Sequence, residues 1–169
     1  MLKKVRVLIK TTQQEVDSTL FKTPTGKLLT LGEPLEEAEK KDLELVTDAR
    51  YLDDSSRVSV SYTEGEISGM RGSTTTISFQ KNTPALVTMT RTGDVRTAMV
   101  FEKGARHISV YQTPLMPFEV AVYTEAVENT LEENGKLHLS YTVELRGANA
   151  EKTELALSIL PNFERPLTL

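Results

Sequence analysis

Apolar and polar residues alternate along most of this chain. In the clearest run, Leu137 to Arg146, every second residue is apolar and the residues between carry hydroxyl, imidazole or charged groups. A period of two places successive side chains on opposite faces of an extended strand, so the run predicts a half-buried β-strand. The same alternation recurs at residues 5–10, 58–63, 76–79, 87–90, 99–101, 118–124 and 155–159.

Short stretches rich in Gly, Asn, Asp, Ser and Pro separate these runs. They lie at residues 53–56, 69–72, 81–84, 92–94, 103–104 and 134–135. The dipeptide Asn134–Gly135 favours a type I′ hairpin turn, because both residues tolerate positive φ. Strands joined by such short turns pair with their chain neighbours, which predicts an antiparallel meander of roughly nine or ten strands.

A meander in which each strand has one apolar face either closes into a barrel or stacks as a sandwich. Closure removes the exposed edges of the sheet, so we predict an all-β fold, a closed antiparallel up-and-down β-barrel. Nearly every strand also carries charge on one face, whereas a membrane barrel needs a broad apolar outer band. We therefore expect a soluble barrel that occupies residues 1–169 as a single domain.

One segment, Asp17 to Asp42, shows no alternation. Connections without secondary structure that exceed ~12–15 residues tend to be lids, binding loops or disordered segments. We therefore expect residues 17–42 to form a flexible, lid-like insert after the first strand. Limited proteolysis should then cut near Lys22 or Lys27 before it cuts any barrel strand.

Composition and charge narrow the classes of function. The net charge is −4, and a nucleic-acid-binding protein needs a basic surface instead. The chain has no cysteine, which excludes disulfides, thiolate metal sites and a cysteine nucleophile. It has no signal-peptide pattern and no run near the ~20 apolar residues of a membrane-spanning helix. We expect a cytoplasmic protein that contacts neither nucleic acid nor membrane; its oligomeric state is left open.

Three kinds of catalytic or cofactor site find little support in the sequence. Residues 69–74, Gly-Met-Arg-Gly-Ser-Thr, lack the lysine, the spacing and the following helix of a phosphate-binding loop. His107 and His138 share no close spacing, so we expect no metal site. Ser73 has no histidine nearby to act as a base, which argues against a serine hydrolase. No cofactor is predicted.

Three long stretches carry a resemblance to a known family. They read YTEGEISGMRGSTTTISF, MTRTGDVRTAMVFEKGARHISVYQTP and TLEENGKLHLSYTVEL. Together with the first strand, they make residues 43–159 resemble the YwiB-like family of bacterial proteins, a domain of unknown function. The resemblance implies a β-barrel of the calycin, lipocalin-like kind. It implies no catalytic residue, since none is established for that family.

Four polar residues share the parity of the predicted core face. Tyr62 and Glu64 follow Val60 at steps of two, and Arg91 follows Met89 in the same way. Thr124 lies on the inward parity of its own strand. A buried charge without a partner is very costly, so Glu64 and Arg91 should pair or reach water at the barrel mouth. They are interpreted as a ligand-binding site, as a structural ion pair, or as solvated residues at strand ends.

The leading functional hypothesis is that the barrel binds a small apolar or amphipathic molecule, with Tyr62, Glu64, Arg91 and Thr124 as its polar contacts. The alternative is a filled barrel that acts as a structural or protein-interaction module, since small barrels are often packed solid. A more distant alternative is an enzyme in which Arg91 holds Glu64 as an acid or base. Large inward side chains such as Met89, Phe101 and Tyr141 favour a packed interior.

Overall fold

The computed structural model of the chain describes residues 1–16, 40–64, 72–145 and 150–161. These residues form ten antiparallel strands and one helical turn, so the predicted all-β barrel is confirmed. The elements are β1 (Leu2–Val16), β2 (Lys41–Asp53), β3 (Arg57–Thr63), β4 (Thr74–Gln80), β5 (Leu86–Thr92), β6 (Thr97–Glu102), β7 (Arg106–Gln112), β8 (Pro117–Thr130), α1 (Leu131–Asn134), β9 (Lys136–Leu145) and β10 (Ala150–Ile159). No helix in the described ranges is long and apolar enough to cross a membrane.

The strands form one sheet whose order is β6-β5-β4-β3-β2-β1-β10-β9-β8-β7. Every neighbouring pair is consecutive in the chain except β1 and β10, which bring the two ends of the meander together. The remaining seam lies between β6 and β7. It is bridged at one end by Arg96 and Gln112 and at the other by Lys103 and Thr124, so the barrel is nearly closed.

The two ends of the barrel differ in how they are closed. At the end where β2, β4, β6 and β8 finish, called the lower end, α1 inserts the buried side chain of Leu131. Beside it the Lys81 ammonium lies 2.6 Å from Asp53 Oδ1 and 3.5 Å from Glu132 Oε1. The opposite end, where β1, β3, β5, β7 and β9 finish, is called the upper end.

Side chains of alternate residues fill the interior between these ends. They converge because the register places inward positions of neighbouring strands side by side, as in the row Phe79, Ile77 and Thr75 opposite Val87, Met89 and Arg91. The large side chains that are almost completely buried include Phe101, Ile77, Met89, Leu131, Leu137, Leu139, Leu157, Val7, Val58, Val60, Val87 and Val120. The middle and lower parts of the barrel therefore have a packed hydrophobic core.

Two elements, β2 and α1, differ from the sequence predictions. β2 was not predicted from hydrophobic alternation, because Thr47 and Ala49 occupy two of its inward positions in place of large apolar residues. Asn134–Gly135 was wrongly predicted as a type I′ turn; Asn134 instead ends α1, and Gly135 caps it with a left-handed φ of 69°. Burial of Leu131 explains the difference, because one helical turn directs that side chain into the core.

The outer face of β7 is unexpectedly apolar. Pairing with β8 directs Ser109 and Tyr111 to the inside of the barrel. Ile108 and Val110 consequently point outward and are about half exposed. The predicted insert at 17–42 lies outside the described residues as far as residue 39, and Lys41 and Asp42 begin β2.

Candidate functional site

A layer of polar side chains crosses the upper end of the barrel. It begins with a cross-strand row in which Tyr62 is opposite Thr75, Thr75 opposite Arg91, and Arg91 opposite Thr97. Glu64 lies two residues beyond Tyr62 and continues the pairing, since its amide donates to the Ser73 carbonyl oxygen at 2.7 Å. The structure therefore brings three of the four predicted site residues together on the inner face.

Glu64 and Arg91 form a buried ion pair. The Arg91 Nε atom lies 3.9 Å from Glu64 Oε1, and only 15% and 6% of the two side chains are exposed. The same carboxylate oxygen accepts a hydrogen bond of 2.7 Å from the Thr75 hydroxyl. Such burial does not fit the alternative in which these residues are solvated at strand ends.

Two tyrosines complete the layer from opposite walls. Burial raises the pKa of Tyr62 far above its ordinary value, and the nearby Glu64 carboxylate raises it further. Burial also raises the pKa of Tyr141, against the opposing attraction of Arg91. The Tyr141 hydroxyl forms a hydrogen bond with Thr153, its cross-strand neighbour. Both phenols therefore keep their protons at neutral pH.

Several buried polar atoms in and beside this layer have no hydrogen-bond partner. They include Arg91 Nε, the Thr97 hydroxyl and the Ser73 hydroxyl. Thr124, the fourth predicted residue, is opposite Tyr141, is fully buried, and also has an unpartnered hydroxyl. An unsatisfied buried group costs about 1–3 kcal/mol, so these atoms call for a ligand or ordered water.

An apolar cavity of about 510 Å³ opens beside the polar layer at the upper end. Its wall includes Tyr111 and Phe118, whose rings stack with centroids 5.2 Å apart. Val143 and Leu145 of β9 contribute further apolar surface. We call this space the mouth cavity; its lining residues are Glu15, Tyr111, Phe118, Val120, Val143, Leu145, Ala150 and Glu151.

Two carboxylates stand at the edge of the mouth cavity. Glu15 of β1 is directly opposite Glu151 of β10. Burial raises the pKa of Glu151; Lys41 lowers it, and the like charge of Glu15 raises it further. The negative charge of Glu151 also raises the pKa of Tyr141. The two side chains are therefore close enough to interact, which places the mouth cavity next to the polar layer.

Sequence parity identified Glu64 and Arg91 as inward charges but missed other members of the site. Thr75, Thr97 and Thr153 are common strand residues, and only the register shows that they meet Glu64, Arg91 and Tyr141. Within the described part of the chain, no group of three potential ligands is placed to hold a metal ion. The glycine-rich turn at 69–72 lies outside the described residues except for Gly72.

Comparison with known proteins agrees with this architecture. The family described as "Domain of unknown function (DUF1934)" matches residues 32–157, well over half of the chain. The crystal structure of the ywiB protein from Bacillus subtilis superposes with a TM-score of 0.61 at 15% sequence identity, covering 94% of this chain and 95% of that one. At this identity the likeness concerns the fold alone. No curated protein matches the chain.

Proposed function

The chain belongs to the DUF1934 family of domains of unknown function, and from its own site we propose that it binds a small amphipathic molecule at the upper end of the barrel. The observation that carries the proposal is the adjacency of the mouth cavity and the polar layer. Ligand sites typically combine a concave apolar wall of about 300–1,000 Å³ with a few convergent polar groups. The mouth cavity, at about 510 Å³, falls in that range.

In this proposal the apolar part of the ligand contacts the stacked rings of Tyr111 and Phe118 together with Val143. Its polar part meets the layer at Glu64 and Arg91. These two side chains are assigned as the anchors because they form the charged pair of that layer, with Arg91 Nε 3.9 Å from Glu64 Oε1. The hydroxyl of Tyr62 adds a neutral group that can donate or accept a hydrogen bond.

The packed interior limits how deeply the ligand enters. Met89 and Phe101, below the polar layer, are completely buried, and the Phe101 ring contacts the Tyr141 ring with centroids 4.6 Å apart. A molecule in the centre of the barrel would have to displace these side chains. The proposed ligand therefore lies in the mouth of the barrel and above Tyr141.

An uncharged fluorescent amphiphile, N-phenyl-1-naphthylamine, tests the proposal. Its fluorescence should rise on binding to the native chain and should saturate. Val143→Phe, which narrows the mouth cavity with a larger ring, should weaken this binding, while Val46→Phe makes the same change at an exposed site on β2 and should not. Absence of saturable binding, or equal binding by both variants, would contradict the proposal.

A second candidate, a protein-interaction module, is favoured by one specific observation. The outer face of β7 and the following turn expose Ile108, Val110, Leu115 and Met116, and exposed apolar patches often mark contact surfaces. If this candidate holds, Val110→Lys should change the mass measured by light scattering or by co-purification with a partner. Val46→Lys, at a similarly exposed valine, is the matched control.

A further inference from the structure

A shallow groove of about 430 Å³ runs across the seam between β6 and β7 at the upper end. We call it the seam groove. Its lining consists of two arginines, three threonines, a glutamine and one valine. No acidic residue lines it, and each of its polar side chains carries a hydrogen-bond donor. This composition differs from the mouth cavity, which is apolar with two carboxylates.

The backbone holds the main groups of the seam groove in place. Arg96 and Gln112 exchange two backbone hydrogen bonds, of 2.9 and 2.8 Å. Residues paired in this way direct their side chains to the same face of the sheet. Because Arg91 is opposite Thr97, continuing that register by one residue places Thr92 opposite Arg96. Thr92, Arg96 and Gln112 thus form one cross-strand row.

The donors around this groove exceed the acceptors. Arg91 and Thr97 also border the groove, but their side chains point into the barrel and belong to the polar layer. The Glu64 carboxylate compensates the positive charge of Arg91. Arg96 forms no ion pair with any residue in the described ranges. Asp94, the acid nearest in sequence, is exposed and does not line the groove. A single positive charge therefore remains uncompensated.

We propose that the seam groove binds an oxyanion, the carboxylate or phosphate group of a small molecule. The planar guanidinium of Arg96 matches both groups, because its parallel N–H donors can meet two oxygens at once. Thr92 and Gln112 supply neutral donors beside it in the same cross-strand row. This site goes beyond the amphiphile-binding function, since Arg96 and Gln112 do not line the mouth cavity.

Two-dimensional NMR of the ¹⁵N-labelled full chain tests this site. Inorganic phosphate and acetate are titrated separately at constant ionic strength, with chloride as the balancing ion. Saturable shifts should appear at the amides of Thr92, Arg96 and Gln112 with at least one of the two anions. Arg96→Gln should weaken binding by about tenfold or more, since a charge-assisted hydrogen bond is lost. Arg50→Gln, at an exposed arginine of β2, should leave binding unchanged.

The outcomes separate the sources of the anion and decide the proposal. Saturation by phosphate alone identifies a phosphoryl ligand, and saturation by acetate alone identifies a carboxylate ligand. Equal shifts with chloride, or unchanged binding by Arg96→Gln, would overturn the oxyanion site. Binding of the uncharged naphthylamine by Arg96→Gln is measured in parallel. A negative result for the anion site therefore does not affect the test of ligand binding in the mouth cavity.

Discussion

Nε of Arg91 lies 3.9 Å from Oε1 of Glu64, close enough for strong attraction between the charges but too far for a hydrogen bond between these two atoms. Thr75 donates the short hydrogen bond to that carboxylate instead. The pair thus compensates charge in a buried layer while leaving Arg91 Nε without an acceptor. A structural ion pair and a ligand anchor are compatible in such an arrangement.

The coupling between Arg91 and Glu64 can be measured by a double-mutant cycle. Arg91→Met alone should lower the free energy of unfolding by ~3–5 kcal/mol, because it leaves a buried carboxylate uncompensated. The double variant Arg91→Met/Glu64→Gln should recover much of that loss in urea denaturation. A coupling of only ~0–1 kcal/mol, as for exposed pairs, would contradict the desolvated pair.

Leu139 in β9 should contribute strongly to core packing, because its side chain is completely buried. Leu139→Ala should lower the free energy of unfolding by ~2–5 kcal/mol, the usual cost of a cavity at a buried leucine. Leu2→Ala is the matched control: Leu2 is 63% exposed, and its truncation should stay within ~0.5 kcal/mol. Equal effects of the two substitutions would mean that the inward face of β9 is wrongly assigned.

Glu151 should destabilise the protein at neutral pH. Its pKa is raised by burial above the ordinary value of 4.5, so the folded state favours the protonated acid. The stability that this preference supplies is complete below pH 4.5 and is lost as the pH rises through the folded-state pKa.

Glu151→Gln should therefore raise the urea midpoint at pH 7 and change it little at pH near 4.5. The exposed Glu154 of the same strand provides the control, and Glu154→Gln should have little effect at either pH. A lower midpoint for Glu151→Gln at pH 7 would show that Lys41 stabilises the carboxylate by more than burial and Glu15 destabilise it.

Tyr62 should make stability fall at alkaline pH. Its pKa is raised above the ordinary value of 10.0 by burial and by Glu64, so the folded state retains the phenolic proton longer than the unfolded chain does. Stability linked to Tyr62 is complete below pH 10 and is lost above it. Urea midpoints on either side of that pH should drop less in Tyr62→Phe than in the native chain. Tyrosinate absorbance in the folded state provides an independent measurement, and a Tyr62 that ionises at its ordinary pH would contradict the burial.

The fold was largely predictable from local patterns. Leu137 to Leu145 alternates almost without interruption, and half-burial of one face is sufficient to cause that pattern. β2 was not predicted because two of its inward positions hold Thr47 and Ala49, which interrupt the alternation of large apolar residues. β7 shows a further limit: its apolar residues Ile108 and Val110 point outward, since pairing with β8, rather than hydrophobicity, sets its orientation.

The candidate site was predictable only in part. Parity placed Tyr62, Glu64, Arg91 and Thr124 on the inner face, because a period of two specifies which face of its strand each residue occupies. The alternation within one strand does not specify distances between residues on different strands. It therefore did not indicate that Tyr141 lies near Arg91 or that Glu15 is opposite Glu151. The ligand roles of these residues remain predictions.

By itself, the sequence determined that the chain forms strands and which face of most strands is apolar, and it marked Glu64 and Arg91 as candidates for inward charges. These properties follow from the two-residue repeat of the backbone and the cost of burying charge, both of which act locally. Only the tertiary structure decided that Glu64 meets Arg91 and that the mouth cavity opens beside them. It also placed Arg96 beside Gln112 across the seam. These contacts depend on strand register and barrel closure, which are set by the packing of the whole sheet and not by any one segment.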